Sequence, residues 1–188
     1  MKTLQYPFKR EEIRDLKVGD MVLLTGKLFT GRDAIHKYLH EGNQPPVSLQ
    51  DQIIYHCGPV VLEEKGEYRV VAAGPTTSIR EEPYQWEVMR DHGILGVIGK
   101  GGMGPKTLEG CREYGCVYFH AIGGAAQVLA EKIKSVDNVY LKEKFGSPEA
   151  IWELTIEEFP VVVTMDSHGN SLHEKVQKES EANLKELI

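Results

Sequence analysis

Between residues 94 and 124 the chain runs from an unbroken apolar stretch, Ile94-Leu95-Gly96-Val97-Ile98, into the loop Gly99-Lys100-Gly101-Gly102-Met103-Gly104-Pro105. A helical pattern follows up to Tyr114, and then a second apolar stretch, Val117 to Ile122. Apolar runs bounded by glycine and lacking polar alternation read as strands covered on both faces, and two of them joined by a helix form a βαβ unit. The expected class is therefore α/β, with a mixed sheet flanked by helices. Ten of the 19 glycines lie between Gly93 and Gly124. Bare amides and positive φ angles are available there, so this loop is where a ligand is first sought.

The 188 residues, 41% apolar and 27% charged, suit a single folded domain over 1–188 with a charged tail from 171. A formal charge of −6 leaves no broad basic surface for nucleic acid. No stretch of 18 apolar residues occurs, and the N-terminus MKTLQYPFKREEIRD turns charged before a signal core could form. A soluble cytoplasmic protein with no membrane partner is expected. Cys57, Cys111 and Cys116 have neither CxxC spacing nor a known cluster spacing, so they read as buried small hydrophobes.

Along the chain, strands are expected at Leu4–Phe8, Met21–Leu24, Ile53–Cys57, Tyr68–Ala73, 94–98, 117–122 and Val161–Met165, with an extended piece at Val139–Leu141. Helices are expected from Arg32-Asp33 to Gly42, over Tyr84–Arg90, from Lys106 or Thr107 to Tyr114, from Ala125 to Ile133, and from Ser147. Ser78 and Glu81 have the spacing of a capping box. The tail is weakly helical, with Leu172, Val176, Leu184 and Ile188 on one side.

Three turns share one design: each follows a strand, contains glycine, carries a cation or hydroxyl, and precedes a helix. They are Thr25–Asp33, Gly74–Arg80 and Gly99–Pro105. If the strands bring them to one edge, Arg32, Arg80 and Lys100 converge with Thr76 and Thr77 on a small anion. The bland alternatives are surface ion pairs for Arg32 and Arg80 and helix capping for the threonines. A nucleotide loop fits poorly. Pro105 breaks the register of GxxxxGK[ST], and the GxGxxG match at Gly99, Gly101 and Gly104 has His120 and Ala121 where its acidic ribose partner belongs. The seven histidines lack metal-site spacing, with His36 and His40 reading as a solvated helix face, and no metal bound by this chain is expected.

Thr25-Gly26, Gly31-Arg32-Asp33-Ala34 with His36-Lys37, His56-Cys57-Gly58-Pro59, Gly74-Pro75-Thr76-Thr77-Ser78 with Arg80, Gly99-Lys100-Gly101-Gly102-Met103, and Asp166 with Gly169-Asn170 follow one another in order. This set resembles the C-terminal (beta) part of class I, iron-sulfur-dependent fumarases and L-tartrate dehydratases, over residues 5–175. The resemblance implies a swivelling β/β/α domain, acting as the beta subunit of a two-subunit hydro-lyase. A 4Fe-4S cluster would be ligated by three cysteines of a separate alpha subunit, with none bound by this chain. It further implies that Arg32, Arg80 and Lys100 hold substrate carboxylates, that Thr76 lies near the carbon losing a proton, with Thr77 beside it, and that Gly101 and Gly102 let backbone approach the ligand. The reaction would interconvert fumarate and (S)-malate, or dehydrate tartrate to oxaloacetate, inside a hetero-oligomer. A non-catalytic small-anion-binding module is the competing reading.

Overall fold

The computed structural model describes residues 1–187. Its strands are β1 (Lys2–Gln5), β2 (Met21–Thr30), β3 (Ile53–Tyr55), β4 (Val60–Glu64), β5 (Glu67–Ala72), β6 (Gly96–Gly99), β7 (Val117–His120), β8 (Ile133–Tyr140) and β9 (Ile151–Met165). The helices are α1 (Arg10–Arg14), α2 (Asp33–His40), α3 (Glu82–His92), α4 (Pro105–Tyr114), α5 (Ala126–Glu131), α6 (Lys142–Phe145) and α7 (Leu172–Leu187). Seven strands form a sheet in the order β1-β2-β3-β6-β7-β9-β8, and β4 with β5 makes a separate hairpin. From β1 to β7 the neighbours are parallel, whereas β9 runs antiparallel to β7, β8 and β2. Because β2 pairs with both β3 and β9, the strands β2, β3, β6, β7 and β9 close into a ring. The mixed α/β class and the β6-α4-β7 unit expected from the sequence are both present.

Side-chain alternation divides the apolar residues between two bodies. On β6 and β7, Ile98 and Phe119 join Leu24, Leu28, Tyr55, Trp152 and Phe159. Their neighbours Val97 and Tyr118 point the other way, packing with Ile35 and Leu39 of α2, Val88 and Met89 of α3, and Cys111 of α4. Both faces of these strands are thus covered, which explains their unbroken apolar sequence.

Several elements differ from the sequence expectation. The first strand stops at Gln5 rather than Phe8, since Pro7 has no N–H for the ladder. β2 does not end at Leu24; a register shift between Leu24 and Gly26 carries it to Thr30. β4 was not anticipated, because its Val-Val-Leu-Glu-Glu sequence is largely exposed and gains its partner only through the turn to β5. The helix expected from Ser147 is a single 3₁₀ turn, Ser147–Glu149, and a 15-residue strand follows at once from Ile151. The extended piece at 139–141 is the end of the longer β8. The charged tail forms α7, with Val176 and Leu184 exposed; Ile188 lies outside the described residues. Among the described residues no helix is long and apolar enough to cross a membrane.

The buried hydroxyl of Thr30 ties β2 to the start of β9, donating to the Ala150 carbonyl at 3.1 Å and accepting from the Trp152 N–H at 2.9 Å. Replacing it by the isosteric Thr30→Val strands both backbone groups. A loss of about 1–3 kcal/mol is expected, measured by urea unfolding; an unchanged midpoint would show that the junction is held by packing alone.

Candidate functional site

Past Tyr55 and Ile98, the parallel strands β3 and β6 admit a third segment between their ends. The Thr76 N–H donates to the His56 carbonyl at 2.6 Å, Lys100 N–H to the Thr76 carbonyl at 3.2 Å, and Ser78 N–H to the Lys100 carbonyl at 3.0 Å. Thr77 and Lys100 consequently form a parallel bridge. This stitching places Gly31-Arg32 after β2, His56-Cys57-Gly58 after β3, Thr76 to Arg80, and Gly99 to Gly102 along the carboxyl edge of the sheet, the edge where open α/β sheets bind ligands.

The side chains gather accordingly. Arg80 reaches back to the Thr76 hydroxyl, with Nη2 at 3.5 Å from Oγ1, and its Nε lies 3.7 Å from an Asp33 carboxylate oxygen. Arg32 lies over Gly58, where a Cβ would sit 2.6 Å from its Nη1. Its Nε is 3.3 Å from Glu149 yet makes no hydrogen bond. The Lys100 chain runs beside Gly123. Gly101 and Gly102 adopt φ of 81° and 78°, the left-handed region that favours glycine. Thr77 occupies the position before the 3₁₀ turn without capping it through its side chain. All seven expected residues (Arg32, Thr76, Thr77, Arg80, Lys100, Gly101 and Gly102) thus lie along one edge.

Two of the three helix N-termini offered by the sequence as anion sites, those of α2 and α4, are already occupied by the chain's own carboxylates. Glu82 accepts from the N–H groups of Gly104, Lys106 and Thr107 and from the Thr107 hydroxyl at the start of α4. Glu149 accepts from the Ala34 N–H at the start of α2. An incoming anion is left with the cationic side chains and the glycine amides.

Beneath the edge lies a buried polar chain that sequence spacing did not reveal. The Tyr118 hydroxyl donates to Ser78 Oγ at 3.0 Å, and Ser78 in turn donates to His56 Nδ1 at 2.9 Å. The imidazole proton therefore sits on Nε2 and is donated to Gln85 Oε1 at 3.0 Å. His36, far from lying on a solvated face, is fully buried, meets His56 edge to face at 4.9 Å, and bonds the Arg32 carbonyl through Nδ1. Burial drives both histidines below their ordinary range, so they are neutral at pH 7. The expected Ser78–Glu81 capping box is absent: Ser78 is committed to His56 and Tyr118, and Glu81 is buried beside Asp33. Asp166 belongs elsewhere, tying the turn after β9 by accepting from Val18, His168 and Asn170.

The cysteines do not fit an iron-sulfur cluster. Cys57 lies in one apolar body and Cys111 with Cys116 in the other, all three buried. Burial pushes the Cys57 and Cys116 thiols up to about 12 and raises Cys111 well above its ordinary value, whereas cluster ligation requires thiolates. Among the described residues no three His, Cys, Asp or Glu side chains are grouped to hold a metal ion.

A Cβ on Gly99 would sit 1.8 Å from Ser78 Oγ, 3.1 Å from the Tyr118 hydroxyl and 3.2 Å from His56 Nδ1. Gly99→Ala is expected to cost about 1–3 kcal/mol by overpacking, and Ser78→Ala a similar amount by leaving two buried groups unpaired. The double variant should cost less than the sum, since the new methyl takes the space of the lost hydroxyl. Additive losses in denaturant unfolding would show that the two positions do not share this space.

Comparison with known proteins places the chain. Residues 2–176 match the family described as Fumarase C-terminus. Over 179 residues, 95% of this chain, it is 60% identical to a protein of Geobacillus stearothermophilus described as a candidate class I fumarate hydratase, and the match spans 34% of that relative. It is 41% identical over 193 positions to a candidate L(+)-tartrate dehydratase subunit beta of Methanocaldococcus jannaschii, covering 98% of this chain and 99% of the relative. The L(+)-tartrate dehydratase subunit beta of Escherichia coli K12 is 39% identical over 173 residues, 91% of this chain and 86% of that subunit. The chain thus spans about a third of the first relative and most of the other two, and with residues 2–176 matched it belongs to the Fumarase C-terminus family.

Proposed function

We propose that this chain is the beta half of an iron-sulfur hydro-lyase that reversibly hydrates fumarate to (S)-malate, and that it supplies the dicarboxylate-binding side of the active site. The observation that supports this reading is the placement of Arg32, Arg80, Lys100 and Thr76 on segments that share one sheet edge. A dicarboxylate needs two cationic clamps, and guanidinium groups bind carboxylates through paired, charge-assisted hydrogen bonds. Arg32 and Arg80 take that role, with Lys100 as a third cation and the amides of Gly101 and Gly102 admitting the ligand's close approach. Thr77, bridged to Lys100, lies on the same sheet edge and would contact the substrate there.

Addition or loss of water also needs a proton acceptor on the adjacent carbon. Thr76 is the candidate, because a guanidinium donating to its Oγ1 favours the alkoxide over the neutral hydroxyl. The 4Fe-4S cluster of such an enzyme belongs, in this reading, to an alpha subunit, in keeping with the buried, protonated thiols here. The assembled enzyme is then a hetero-oligomer working in the cytoplasm. Dehydration of L-tartrate is the second reading, favoured by the near full-length match to two tartrate dehydratase beta subunits.

Co-expression with an alpha chain carrying its cluster, followed by assay on malate and tartrate, tests the proposal. Activity is expected only in the assembly, and the substrate turned over selects between the two readings. Arg80→Ala and Lys100→Ala should each lower kcat/KM by about 10- to 150-fold, the worth of one hydrogen bond to a charged group. Thr76→Val should lower kcat by roughly 10²- to 10⁴-fold. Tight calorimetric binding of fumarate by the isolated chain, with no activity in any assembly, would instead establish an anion-binding module.

A further inference from the structure

We propose that Asp33 and Glu81 share one proton and act together as the positioning element for Arg80, holding its guanidinium over Thr76 while keeping the edge cationic. Glu81 is fully buried, and neither of its carboxyl oxygens has a hydrogen-bond partner among ordinary donors. Asp33 likewise has one buried oxygen, Oδ1, without a donor. Helix α2, which opens with Asp33, packs against the 3₁₀ turn that carries Glu81, Arg80 of that turn lies 3.7 Å from Asp33, and a side-chain hydrogen bond couples the two carboxyl groups. Two carboxylates cannot bond without a proton between them, and an unpaired ionised carboxylate is costly to bury. The assignment of the proton follows from the neighbours. Asp33 has Arg80 at 3.7 Å and Arg32 beside it at the start of α2, both of which favour its charged form. Glu81 has only Arg80 of its own turn as a nearby cation, and burial with the Asp33 charge pushes it up to about 9. The other titratable groups packed around it do not supply charge: His36 of α2 and His56 after β3 are neutral, and Tyr118 of β7 is raised by burial. Glu81 therefore donates its O–H to Asp33, and the second Asp33 oxygen remains for Arg80.

The shared proton also sets the charge that a dicarboxylate meets. Arg32, Arg80 and Lys100 stand against the carboxylates of Asp33 and Glu149. Ionising Glu81 would add a third negative charge and cancel the positive balance of the edge. This role rests on the hydro-lyase reading; the shared proton itself does not.

The proton is read in the isolated 188-residue chain by ¹³C NMR titration of glutamate side-chain carboxyls, with Glu81→Gln giving the assignment. Glu81 should remain protonated through pH 7 and titrate near 9. Titration in the ordinary carboxyl range overturns the proposal, whatever becomes of the hydro-lyase reading. Thermal unfolding supplies a second measurement. The native state keeps a proton that the unfolded chain releases above about 4.5, so stability should fall as pH rises from there towards 9, and Glu81→Gln should lack that slope; equal slopes count against the shared proton. In the active assembly, Glu81→Gln should keep kcat/KM at pH 7 within about twofold and remove its alkaline decline. Asp33→Asn and Glu81→Ala should raise KM for the dicarboxylate about tenfold with a smaller change in kcat. An unmoved KM in both would remove the positioning role.

Discussion

The last residue of β6 has no side chain, and three polar atoms from three distant segments meet where its Cβ would be. Ser78 Oγ, the Tyr118 hydroxyl and His56 Nδ1 can only bond one another because Gly99 leaves that volume open. Ser78 belongs to the segment wedged between the ends of β3 and β6, so the meeting point fixes Thr76 and Thr77 against Lys100 and starts the turn that carries Arg80. The placement of the cations thus follows from a steric vacancy at one backbone position.

Electrostatics then restricts what the edge can bind. Helix N-termini are general anion sites, but those of α2 and α4 are taken by Glu149 and Glu82. The histidines underneath are neutral and add no charge. In the proposed function, selectivity for an anion is left to the three cations Arg32, Arg80 and Lys100, an arrangement suited to a ligand bearing more than one carboxylate rather than to a single compact phosphate cradled by amides.

The parts of this design that are legible in the sequence are the ones written locally. The β6-α4-β7 unit announces itself because both strands are covered on two faces, and Arg32, Arg80 and Lys100 stand out because each follows a strand within a glycine-bearing turn. Of β9 only the end, Val161–Met165, is legible; its first ten residues are not, since Glu157, Glu158 and Pro160 interrupt the alternation and the strand is held by pairing with β2, β7 and β8 in turn. The polar chain below the site is still less so. His36, His56, Ser78, Gln85 and Tyr118 have no spacing rule that links them, and Ser78 with Glu81 even carries a local signal for a cap that tertiary partners override.

Where the chain tolerates unsatisfied polar groups is itself informative. Of the nine buried side-chain polar atoms without a hydrogen-bond partner among the described residues, six belong to Arg32, Asp33, His36, Glu81 and Gln85. Such atoms are costly, and a sequence shaped by folding alone would spread them out or replace them with apolar groups. Their concentration directly behind the cation cluster means that the fold is least optimised where the edge is most charged. A proton shared between Asp33 and Glu81 satisfies part of that deficit from within, and an anion between Arg32 and Arg80 would satisfy another part from outside. In the hydro-lyase reading, a bound dicarboxylate completes this edge.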